Sequence, residues 1–333
     1  MTLLDECPEA GQFMMEVTEN VERYKRFPSE RFAKLVIAVM ATNAVDRQNE
    51  VIDPGCLEDM AAQINRDSLW LTVEHNPLMA PIGRALAARR FYARESGIYF
   101  VAGVLGVYDC EKLPSFSDIG IDTAAATPDD VQGIDQAEQI PTAQIAFNPH
   151  EIDTAAVTQM LQCAPEFVDR NPMLVGRKSA DPIAILTVLA SVWLLVSNPF
   201  SKKFLERLGE KSADAAIAFL SWLKNEVLAT FARIDSNNPL FELQMPYKGC
   251  VVEFFVASRE PEILVKATHS VHEAAQHSLN LVDRLEHLGV QKLVYAYDPA
   301  TQRWLPLYAA TRMGGVISDR RALIVLDQFR QSQ

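Results

Sequence analysis

The side chains best suited to nucleophilic, acid–base or metal chemistry in this chain are its six histidines and five cysteines. The cysteines, Cys7, Cys56, Cys110, Cys163 and Cys250, are scattered and form no CxxC clamp for a metal or a dithiol, so they read as reduced, intracellular thiols. Four histidines, His269, His272, His277 and His287, share one stretch, where HxxH spacing could set two imidazoles on one helix face. Projection on a helix separates them. Val271, Ala275, Ser278, Val282 and Leu285 mark the inward face, His269 and His287 fall opposite it, and His272 and His277 diverge to either side. A solvated helix face is therefore expected, with no metal and no cofactor. Phosphate-cradling glycine loops and dinucleotide fingerprints are also absent from the sequence. His75 stands apart, closing the apolar stretch LWLTVE, and an imidazole titrating near neutrality there could act as a general base. Without further context, a histidine at a strand end reads as structural.

The elements that must position these residues follow from periodicity. AKLVIAVMA at 33–41 predicts a buried strand, and Asp53-Pro54 followed by Leu57, Met60, Ala61 and Ile64 predicts a capped amphipathic helix over 54–65. Strands are expected at 69–74, at 82–93 and 98–108 as a hairpin turning through Glu95-Ser96-Gly97, and at 141–147. Between Asp109 and Glu138 eight acidic residues meet one lysine, Lys112, which predicts a solvated loop or flap. Pro165, Pro172, Gly176 and Pro182 punctuate 164–182 and suggest a domain end.

Past that point, 183–198 is almost wholly apolar. It is shorter than the roughly 20 apolar residues a membrane span needs, so a buried or partner-facing helix is expected ahead of a membrane-inserted one. Residues 204–234 carry a helical stripe of Leu205, Leu208, Ala216, Leu220, Leu223, Val227 and Phe231. A hairpin at 240–257 turning near Lys248-Gly249, a helix near 267–288, a hairpin at 292–310 and a final element after Gly314-Gly315 complete a small α+β unit. On the last hairpin Tyr295, Tyr297, Trp304 and Tyr308 suit cross-strand contacts, or a recognition surface. The expected class is α+β, divided into an acidic N-terminal segment 1–30, a β-rich barrel-like domain 31–180, a helical connector 181–236 and a small α+β domain 237–333.

With 49% apolar residues, the chain has ample material for a core. A net charge of -12 without basic clusters argues against a nucleic-acid surface. The acidic start MTLLDECPEAGQF lacks the character of a secretory signal, so a cytoplasmic location is expected, with membrane association through 183–198 as an alternative.

One stretch has a specific form. A strand leads into Asp46-Arg47-Gln48 and Glu50-Val51-Ile52, a helix starts at Pro54, and the next strand delivers His75 ahead of Pro81-Ile82-Gly83-Arg84 and the Gly97 hairpin. In this order the region resembles the prohead (capsid-maturation) proteases of tailed phages, which share a fold with the herpesvirus assemblins. The resemblance implies that residues of about 33–170 form the protease-like domain and that His75 takes the general-base position. It places Gln144, within Ala143-Gln144-Ile145-Ala146-Phe147, where the nucleophilic serine belongs, and makes Glu166 the nearest third member of a triad. An amide cannot attack a peptide carbonyl to form an acyl-enzyme, so this alignment implies lost catalysis. A shift of one or two residues would bring Ala143 or Thr142 into the position, and a threonine beside a histidine can act as a nucleophile. Ser115 and Ser117, in the acidic loop, are weaker candidates. Arg84 reads as a structural salt-bridge partner for Asp46 or Glu50.

The leading expectation is a catalytically degenerate, prohead-protease-like module of bacterial or prophage origin that binds peptides or proteins in assembly or regulation and associates with itself or a partner. The alternatives are an active serine- or threonine-type peptidase with His75 as base, and a membrane-associated effector acting through 183–198.

Overall fold

The computed structural model describes residues 2–20, 32–45, 51–73, 76–109, 113–121, 142–175, 183–196, 210–236, 239–312 and 315–318. The class is α+β with a β-rich N-terminal part. The chain forms two compact units, one of residues 1–115 with 313–333, the other of residues 116–312. The boundary expected near residue 180 thus falls inside the second unit.

The first unit is built on a curled, antiparallel sheet in the order β1 (Phe32–Thr42), β4 (Ile98–Tyr108), β3 (Gly83–Ala93), β2 (Trp70–Leu71). Side chains alternate across β4, so the sheet buries both faces. Helix α1 (Pro8–Glu19) sets Ala10, Phe13 and Val17 against Phe100, Ala102 and Val104. Helix α2 (Pro54–Asp67) packs Leu57, Ala61 and Ile64 on Ala85, Ala88, Val101 and Leu105. The Asp53 carboxylate caps α2 by accepting from Gly55 N at 2.7 Å, as its sequence predicts. Helix α1 lies within the acidic segment expected at 1–30. Its buried residues recur every three to four positions, and the acidic residues between them point outward.

Of the strand expected at 69–74, Trp70 and Leu71 form β2, where the Leu71 carbonyl accepts from Ile82 N, and Glu74 lies outside the described residues. Gly83 is required by close approach: a methyl group there would overlap the Gly106 carbonyl oxygen. Next to it, Arg84 is buried. Its Nε donates to Ser68 Oγ at 3.1 Å and its Nη2 to Ser68 O at 2.9 Å, while the guanidinium lies 3.9 Å above the Trp70 ring centre. Burial pushes its pKa below the ordinary arginine value. The expected partners Asp46 and Glu50 lie outside the described residues.

In the second unit the strands run in the order β11 (Arg303–Thr311), β10 (Val290–Asp298), β9 (Cys250–Val256), β8 (Leu240–Tyr247), β7 (Ile185–Ala190), β5 (Ala143–Phe147), β6 (Val168–Leu174). Three parallel pairs, β5–β6, β7–β8 and β9–β10, alternate with antiparallel ones. Each parallel pair is joined through helix, as a crossover requires. Helix α3 (Thr154–Gln162) links the first pair. The second connection contains α4 (Val192–Val196), α5 (Glu210–Trp222), a π turn (Leu223–Val227) and α6 (Leu228–Phe231), and α7 (Pro261–Arg284) serves the third.

The apolar run after residue 183 therefore begins as a strand. β7 lies between β5 and β8 with nearly every residue buried, and among the described residues α4 continues the run as helix. A continuous apolar run suits a strand covered on both faces as well as a buried helix, and pairing decides between them. The connector expected at 181–236 and the small domain expected at 237–333 instead share one sheet. Among the described residues no helix is long and apolar enough to cross a membrane. The helix expected over 183–198 is observed as strand at Ile185–Ala190 and as helix at Val192–Val196.

One face of this sheet carries Phe241, Leu243, Phe254 and Tyr295, and the helices rest on it: Phe231 meets Phe241 with ring centres 5.6 Å apart. The opposite face carries Thr187, Glu242, Gln244, Glu253 and Lys292 beside the buried Phe255, Val294 and Tyr308, as strand register places them. The predicted β8–β9 turn is observed, with positive φ at Lys248 (49°) and Gly249 (76°), the geometry of a two-residue hairpin loop.

Candidate functional site

Strands β5 and β6 begin where β7 and β8 end, at one edge of the second unit's sheet. The chain enters β5 at Thr142, whose carbonyl accepts from Ser191 N at 2.9 Å. Gln144 is flanked in register by Leu189 of β7 and Asp169 of β6. These ends border an open cavity of about 740 Å³ lined by Thr142, Gln144, Glu166, Asp169, Leu189 and Ser191, with Phe167, Val192 and Pro246 among its apolar walls.

Gln144 is held in place. Its Nε2 donates to Asp169 Oδ2 at 3.3 Å and to the Asn171 carbonyl at 3.2 Å. Asp169 Oδ1 in turn accepts from Asn171 N at 2.8 Å and from its side-chain amide at 3.2 Å, fixing the carboxylate in a local turn. β6 is irregular here: Gln144 pairs with Asp169, but Ala146 pairs with Met173, so extra β6 residues bulge out around Pro172. The stretch 164–182, read from its prolines as a domain end, thus includes a strand, and the proline is tolerated because β6 ends the sheet order.

Thr142, Gln144 and Glu166, picked out through the resemblance, line the same cavity. His75 lies outside the described residues, and among the described residues that line the cavity there is no histidine or cysteine. A scan of family models and searches of curated proteins and solved structures return no match to this chain. Asp169, Ser191 and Pro246 had no signal in the sequence. They reach the cavity through the pairing of strands far apart in the chain.

The remaining titratable groups of interest are structural in their surroundings. His277 Nδ1 lies 2.9 Å from Tyr295 Oη, and burial lowers the histidine pKa while raising that of Tyr295 well above its ordinary value. His277 is accordingly packed, whereas His269 and His287 are exposed. Burial pushes the Cys250 thiol up to about 12, which makes it unreactive. Tyr297 and Trp304 meet edge-on at 5.4 Å, and Tyr295 and Tyr308 are fully buried, so the aromatic residues of the last hairpin mainly pack rather than form an open surface. Among the described residues no three His, Cys, Asp or Glu side chains are grouped to hold a metal ion.

Proposed function

We propose that this chain is a prohead-protease-like module that has lost peptide cleavage and retains peptide binding, serving assembly or regulation with a protein partner or a second copy of itself. The observation that carries this reading is the cavity in which Gln144, at the position the resemblance gives the nucleophile, spends its amide on Asp169 and Asn171 beside Thr142 and Glu166. A side chain with this chemistry orients a polypeptide but does not attack one. Binding survives such a loss, since positioning and bond cleavage rest on different groups.

An active peptidase is the second reading, favoured by the Thr142 and Ser191 hydroxyls that line the same cavity as Glu166. Incubating the full chain with end-blocked, internally quenched peptide libraries separates the two. Saturable binding without cleavage is expected. Cleavage lost in both Thr142→Ala and His75→Ala, with folding intact, would replace the binding module by a threonine peptidase.

A further inference from the structure

We draw no further inference here: the strongest candidate, the side-chain cluster built on the buried carboxylates of Glu242 and Glu253 with Thr187, Gln244 and Lys292, on the face of the second unit's sheet opposite the helices, rests on hydrogen bonds and an ion pair among its own members, and nothing in the structure points from it to a ligand or a partner.

Discussion

The two faces of the second unit's sheet differ in what they bury: both hold aromatic and aliphatic side chains, but among the described residues only one adds a cluster of charged and polar groups. Under the helices, Phe241, Leu243, Phe254 and Tyr295 are fully buried and stabilise chiefly by excluding water. On the other face Glu242 and Glu253 are almost as deeply buried, at 4% and 7% exposure, and are supportable only with partners. Thr187 Oγ1 donates to Glu242 Oε2 at 2.6 Å, Lys292 Nζ lies 2.8 Å from Glu253 Oε2, and Gln244 Nε2 donates weakly to Glu253 Oε1 at 3.5 Å. Loss of volume should therefore cost most at Phe254 and its neighbours, and loss of a partner most at the buried carboxylates.

The contrast is broken most severely by Phe254→Ala, which empties a ring that touches both Tyr295 and Trp304. A loss of about 3–5 kcal/mol is expected in chemical denaturation. On the polar face, Lys292→Met keeps volume but leaves Glu253 with one weak donor, and a loss of about 1–3 kcal/mol is expected, moderated by the partial exposure of the lysine. Recovery of most of that loss in Lys292→Met/Glu253→Gln would identify the stranded charge as its cause. Thr187→Val, almost isosteric, is expected to cost about 1–2 kcal/mol by the same measurement. A neutral result there would mean that Glu242 draws its support from elsewhere.

The smallest effect belongs to the helix-covered face and to pH. Because burial lowers the folded-state pKa of His277, the unfolded chain takes up the proton first as pH falls. The histidine's contribution is therefore present above the unfolded value of about 6.5 and is lost as pH drops toward the folded one. Unfolding curves at successive pH values below neutrality should show the parent losing more stability than His277→Gln. Parallel curves would show that this imidazole is not protonated differently in the two states.

Local rules were readable wherever their causes lie within a few residues. The Asp53 cap and Pro54 start of α2, the β3–β4 hairpin around Gly97 and the Lys248-Gly249 turn all follow from side chains that act on their own backbone. Part of the candidate site was legible as well, since Thr142, Gln144 and Glu166 share a cavity. Asp169, Ser191 and Pro246 were not, because each belongs to a different strand or strand end and nothing local ties it to Gln144.

By itself the sequence determined which segments had apolar faces, where turns must fall and which residue types could do chemistry. The tertiary structure alone decided that Ile185–Ala190 is a central strand and not a helix, that the first residues contribute a packed helix, and that 143–147 joins the sheet of 240–311. The physical reason is the same in each case. A continuous apolar run and a short amphipathic stripe are satisfied by any cover of suitable shape, so their conformation is set by the partner that hydrogen-bonds and buries them, and that partner lies tens of residues away.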